Sequence, residues 1–237
     1  MNPNPNISFV QGLKEPPLWF TTLGAFVDEQ ASRFEDRPAA IFPWQSVRLS
    51  YRQLADRSKI LAKAMLEMGL RNGDTVGIMA GNCYEYIEVF LGGSRIGCPV
   101  VVLNNTYTPE ELVNAVNRSC KFHVLFCVFL KPDGPTYKFE ACKLVFMASD
   151  IGTRSLSNHI KNLRGGHSKP PTLPDLRRVV NFGTMGIDEA GVEMQTYSTF
   201  VSGANSVFMT DSMLKRAESS VGPENVLNLQ FTSGETF

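Results

Sequence analysis

Between residues 50 and 119 the chain alternates twice between an amphipathic helix and a short, nearly unbroken apolar run, and this restricts the fold more than any other feature. Ser50-Tyr51-Arg52-Gln53 is a capping box, a hydroxyl followed three residues later by an amide side chain that can return to the cap backbone. The helix it starts turns Leu54, Leu61, Ala64, Met65 and Met68 inward, and Gly69 is placed to stop it. After the turn Asn72-Gly73-Asp74, the run Thr75-Val76-Gly77-Ile78-Met79 reads as a strand. Asn82 is expected to cap the next helix, which shows Ile87, Phe90, Leu91 and Ser94 on one face and ends at Gly97. Pro99-Val100-Val101-Val102-Leu103 is a second strand, and Thr108-Pro109-Glu110-Glu111 opens a third helix with Leu112, Ala115 and Val116 facing in. Strand and helix in strict alternation imply parallel strands joined by right-handed crossovers. Strands this apolar are covered on both sides. The expected class is therefore α/β, a layered and mostly parallel sheet with helices on both faces.

The flanks are less regular. Residues 1–21 are rich in Asn and Pro and read as an irregular leader. Leu23, Phe26, Val27, Gln30, Ala31 and Phe34 recur at helical spacing, and Pro38 is expected to end that helix. Residues 39–42 and 47–49 read as two strands around Pro43-Trp44-Gln45. Downstream lie two apolar runs, 122–130 and 144–148, a helix over 154–163, a loop over 164–174, a strand over 176–182, a loop over 183–195, and short helices around Tyr197 and Leu214. Val226, Leu227, Leu229 and Phe231 make a last strand, expected to be buried, which breaks at once into Thr232-Ser233-Gly234. Two hydroxyls and a glycine at the carboxyl end of a strand can cradle phosphate oxygens, because the hydroxyls and backbone N–H groups donate and glycine admits a close approach.

Composition removes several functions. Lys+Arg and Asp+Glu both number 23, so no overall field draws the protein to nucleic acid or an acidic membrane. The cysteines at 83, 98, 120, 127 and 142 are odd in number and form no C-x-x-C pair, which reads as reduced intracellular thiols rather than a disulfide framework. His123, His159 and His167 are scattered, without zinc-ligand spacing. The start has no secretory pattern, and no apolar run is long enough to span a membrane. Gly77-Ile78-Met79-Ala80-Gly81 does not supply the G-x-G-x-x-G of a nicotinamide dehydrogenase.

Four stretches in order, Leu49–Leu54, Gly73–Ile78, Asn104-Asn105-Thr106-Tyr107-Thr108-Pro109-Glu110-Glu111-Leu112 and Leu229-Gln230-Phe231-Thr232-Ser233-Gly234, resemble the adenylate-forming ligases, the AMP-binding acyl-CoA synthetase family. Asn105-Thr106 and the helix start Asn82-Cys83-Tyr84-Glu85-Tyr86 look closest to its medium-chain branch. The resemblance implies a large N-terminal domain of layered α/β subdomains. It also implies ATP, Mg²⁺ and CoA as cofactors, a small carboxylic acid as substrate, and no nucleic acid partner. The implied reaction adenylates the acid and then transfers it to the CoA thiol, work of positioning and charge neutralisation. Thr232, Ser233 and Gly234 match the loop that holds the ATP phosphates, while no catalytic residue or metal ligand is assigned. The compartment implied is intracellular, with cytoplasm, peroxisome and mitochondrion all open. Apart from the resemblance, Tyr84, Tyr86, Phe90, Tyr107 and Thr108 read as structural, and the residues describe an α/β domain of no assigned role.

The match fails after Gly234. Glu235 stands where the family has Thr, Phe237 where it has Gly, and no Pro-Lys follows. The expectation is an incomplete N-terminal part (22–237), cut at the phosphate loop, lacking the C-terminal lid and inactive by itself. Another adenylate-forming enzyme, or a non-catalytic α/β fragment, are the alternatives. A second anomaly is the near-repeat of Cys120-Lys121-Phe122 through Phe126 by Cys142-Lys143-Leu144-Val145-Phe146 where the family has one strand. Codons for Cys120-Lys121-Phe122 can spell GTAAGT, an intron start, and those for Glu140-Ala141 can supply the closing AG. Residues 120–141 are therefore expected to be a retained intron. Gly234-Glu235 can likewise spell GTGAG, so 235–237 are expected to be read-through.

Overall fold

The structure is a computed structural model that describes residues 12, 15–119, 142–164, 173, 175–183, 195–203 and 209–231. The apolar run 122–130, the near-repeat at Cys120, and Thr232, Ser233 and Gly234 lie outside the described residues. Helix α1 (Leu23–Phe34) is capped by Thr22, whose hydroxyl accepts from Ala25 N–H. It stops at Phe34, not at Pro38, because Glu35 turns to φ 47°. Strands β1 (Pro38–Phe42) and β2 (Val47–Ser50) pair antiparallel around a 3-10 turn at Pro43–Gln45. Ser50 then caps α2 (Tyr51–Glu67), with both bonds of the capping box made.

The main sheet follows. Its parallel strands are β3 (Thr75–Met79), β4 (Val100–Val102), β5 (Cys142–Met147), β8 (Arg178–Asn181), β9 (Gln195–Thr196) and β10 (Asn228–Gln230). The spatial order is β10-β4-β3-β5-β8-β9. Helices α3 (Tyr84–Arg95) and α4 (Pro109–Ser119) link β3 to β4 and follow β4, and Thr108 and Glu111 exchange the two bonds of the second capping box. Alternate strand residues feed two cores. Val76, Ile78, Val100, Leu144, Phe146 and Val180 pack with α2, α3 and the later helices α6 (Tyr197–Gly203) and α7 (Asp211–Glu218). Met79, Val101, Leu103, Val145, Met147 and Val179 pack with α4 and α5 (Ser157–Arg164). The expected two-sided cover is present.

Three expectations are corrected. The helix placed at 154–163 starts later, because Asp150–Ile151 (β6) and Arg154–Ser155 (β7) form a hairpin turned by Gly152 at φ 62°, a backbone glycine reaches without strain. The last strand is not buried: among the described residues β10 pairs only with β4, leaving Asn228 and Gln230 exposed and Leu229 half-buried. Asn82 does not cap α3. Cys83 holds the N-cap position without a side-chain bond, and Gln45 Oε1 accepts the Tyr84 N–H from the 3-10 turn.

Gly97 turns the chain from α3 into β4 at φ 71°, and a Cβ there would lie 2.4 Å from Asn72 Oδ1. Asn72 donates to Ser220 O and accepts from Asn225, fastening the segment that leads to β10. Gly97→Ala is therefore expected to lower stability by about 2 kcal/mol, from left-handed strain plus displaced hydrogen bonds. A shift in the urea midpoint measures it, and an unchanged midpoint would show that Asn72 moves freely.

Candidate functional site

Ligands of open α/β sheets bind beyond the carboxyl ends of the strands, where neighbouring strands send their connections to opposite sides. Here β3 leads through α3 to β4 on one side, and β5 leads onward to β8 on the other. Two crevices open along that edge. The larger, about 470 Å³, lies over the ends of β10, β4 and β3. Asn82, Tyr86, Asn104, Asn105, Tyr107 and Gln230 line it, with Phe231 at the point where the chain passes on to Thr232. Among the described residues no carboxylate lines it. The other, about 400 Å³, lies over β3, β5 and β8 and includes Trp44, Cys83, Glu85, Asp150 and Phe182.

Charge separates the two. Among the described residues two acids and no base face the second crevice, so a polyphosphate meets repulsion there. Its Cys83 is no nucleophile at neutral pH: burial, with the Glu85 charge beside it, pushes the thiol up to about 12. The first crevice offers neutral amides and a phenol, which suit an anion without competing charge. A third cavity of about 530 Å³ sits at the amino end of β8, lined by Arg164, Arg177 and Arg178, on the edge away from the switch point.

The wall of the first crevice is built by residues far apart in sequence. Asn104 Oδ1 accepts from the N–H and hydroxyl of Thr106, and Tyr107 N–H returns to Asn104 O. From behind, Arg154 Nη1 donates to Asn105 O and Nη2 to Tyr107 O, both at 2.6 Å. His159 Nε2 lies 2.8 Å from the same Tyr107 carbonyl, and its Nδ1 is buried with no hydrogen-bond partner among the described residues. Tyr86 reaches the crevice from α3, which is braced by a buried carboxylate. Glu88 pairs with Arg57 and accepts from Tyr197 Oη at 2.6 Å. Burial raises its carboxyl pKa against the pull of those two partners.

Of the residues singled out from sequence, Tyr107 and Tyr86 prove to line the crevice although both read as structural. Thr232, Ser233 and Gly234 lie just past Phe231, outside the described residues. Arg154, His159 and Glu88 carried no local signal, since each is recognisable only by a partner 31 to 109 positions away. Among the described residues no group of three His, Cys, Asp or Glu could hold a metal ion, and no helix is long and apolar enough to cross a membrane.

This combination, a parallel sheet covered on both faces with a crevice of neutral amides and a phenol beyond the carboxyl ends of its strands, is that of an α/β fold with an anion-suited site at the strand ends. The family model described as AMP-binding enzyme matches residues 27–236, and the chain belongs to that family. It is 34% identical over 233 residues to the acyl-CoA ligase SID4 of Ajellomyces capsulatus, covering 98% of this chain and 34% of that protein. It is 27% identical over 246 residues to the mitochondrial medium-chain acyl-CoA ligase ACSF2 of Mus musculus, covering 99% of this chain and 35% of that one. In fold it is similar to a red-emitting luciferase from Phrixothrix hirtus, with a TM-score of 0.61, 18% identity, and coverage of 94% of this chain and 45% of the other. The chain thus spans about a third of the length of the curated relatives it matches.

Proposed function

We propose that this chain is the N-terminal part of an ATP-dependent acid:CoA ligase acting on medium-chain or related carboxylic acids inside the cell, and that the 237 residues alone do not turn over. The observation that carries the reading is the crevice at the β10–β4 edge, which no carboxylate lines among the described residues and whose lining ends at Phe231, the residue before Thr232-Ser233-Gly234 in sequence. In this reading those three residues hold the ATP phosphates through hydroxyl and backbone donors. Asn104, Asn105 and Tyr107 form one wall of the crevice. The bound carboxylate attacks the α-phosphate, pyrophosphate leaves, and the CoA thiol then displaces AMP from the acyl-adenylate. Mg²⁺ enters with ATP and offsets charge on the transferring phosphate. The chain's own work is to orient the nucleotide and keep competing carboxylates away from it.

Residues 120–141 stand outside the working protein in this proposal. Support comes from β5: Cys142-Lys143-Leu144-Val145-Phe146 pairs with β3 on one side and β8 on the other, and Lys143 is ion-paired with buried Asp74. The second copy of the repeat therefore already occupies the strand position. Residues 235–237 are proposed as read-through on the sequence grounds given above. A transcript that always retains the codons for 120–141 would sink the first of these claims.

The test measures AMP and pyrophosphate release with ATP, CoA and a panel of acids. One arm uses this chain and the other a version lengthened to the relatives' size. Acyl-CoA is expected from the lengthened protein alone. Acyl-CoA from the 237-residue chain overturns the inactivity. Adenylation without transfer to CoA would assign a different adenylate-forming reaction.

A further inference from the structure

We propose that Arg154 and His159 are positioning residues that hold the Asn104–Tyr107 loop as the rigid wall of the nucleotide crevice, an inference that rests on the ligase reading above. The β6–β7 hairpin leaves β5, passes the end of β3 and delivers Arg154 to the loop after β4. One guanidinium grips two carbonyls two residues apart, each at 2.6 Å, in the fork geometry that only arginine presents. Charge-assisted bonds of this kind are shorter and stronger than neutral ones. His159, 4% exposed on α5, closes the cluster: its Nε2 lies 2.8 Å from the second carbonyl and 2.9 Å from Arg154 Nη2. Both carbonyls are thereby turned toward a cation and away from the anion that the crevice would hold. Three of the loop's N–H groups are used internally, those of Thr106 and Tyr107 by Asn104 and that of Thr108 by Glu111. What those three positions offer to a ligand is shape and side chains, held still. A loop with carbonyls free to swing would present negative dipoles to the phosphates.

The experiment has two arms. In the 237-residue chain, amide hydrogen exchange is followed at Thr106, Tyr107 and Thr108 for Arg154→Lys, His159→Ala and His159→Gln. Loss of the fork is expected to speed exchange there by about tenfold while β3 and β5 keep their protection. His159→Gln, whose amide can either donate to Tyr107 O or accept from Arg154 Nη2, should recover much of what His159→Ala loses. In the lengthened enzyme, Arg154→Lys should raise KM for Mg·ATP by about tenfold with kcat within about twofold, the signature of lost ground-state positioning. Unchanged exchange in all three variants overturns the clamp. Faster exchange with an unmoved KM overturns its role toward the nucleotide. A lengthened wild type that forms no acyl-adenylate sinks the ligase reading instead, and exchange alone then judges the clamp.

Discussion

Replacing Arg95 by alanine is expected to destabilise the protein by about 3–5 kcal/mol, a large part of a domain's total stability. Arg95 ends α3 with its side chain 1% exposed. Its Nη2 and Nη1 both donate to Asp28 of α1, Nη1 also to Glu218 of α7, and Nε to Ser58 of α2. Four helices on one side of the sheet meet at this guanidinium, and its stem runs against Gly24 of α1, where a Cβ would lie 3.0 Å from Cγ. Alanine opens a void, leaves Glu218 without this cation and leaves Asp28 with Lys59 alone. Both carboxylates are partly exposed, Asp28 37% and Glu218 28%, so water makes up some of the loss and the cost falls toward the lower end of the range. Arg95→Met restores volume but no donor, so it should recover only the packing part. A urea midpoint within about 1 kcal/mol of wild type for Arg95→Ala would mean that the helices hold one another without the network.

The network also sets an acid response. Burial raises the Asp28 pKa, but the bonds and charge of Arg95 and Lys59 outweigh it and hold the group below its usual value. Its contribution is therefore complete above the ordinary Asp value of about 3.9 and is lost as pH falls through the lowered one. The stability gap between wild type and Asp28→Asn should close in that acid window.

Phe146→Ala is expected to cost about 3–5 kcal/mol, while the same change at Phe126 should cost within about 0.5 kcal/mol. Phe146 is fully buried in β5, stacked on Phe182 at 5.9 Å and edge-on to Tyr197 and Phe200. Its removal empties the contact between the sheet and α6. Phe126 closes the first copy of the near-repeat, as Phe146 closes the second, and belongs to the segment proposed to be absent from the working protein. Thermal melts of the two variants decide it. Equal losses would mean that both copies carry load, and a larger loss at Phe126 would overturn the assignment of the repeat.

The class of fold was legible because its signals are local. Capping boxes at Ser50 and Thr108 need residues only three apart, and both are made as the spacing requires. Unbroken apolar runs at 75–79 and 100–102 report two-sided burial directly. Motif order then carried the family, and the phosphate-loop stretch was marked by residue type alone.

Partnerships across the fold were not legible. Arg95 and Glu88 sit on α3 at positions that read as ordinary polar faces, yet both are buried, because α1, α2, α6 and α7 close over that helix. Asn82 looked like the cap, but a glutamine 39 residues before Tyr84 took the N–H. The apolar run at 226–231 looked buried, because hydrophobic pattern does not say whether a strand lies at the centre or the edge of a sheet. Thus the sequence by itself determined the element types, their parallel order and the family, since periodicity and short-range caps act within a few residues. Only the tertiary structure decided which crevice is free of acids among the described residues, which charges are buried, and that Arg154 and His159 grip the loop after β4. Those outcomes depend on chain segments up to 123 positions apart being brought within hydrogen-bond reach.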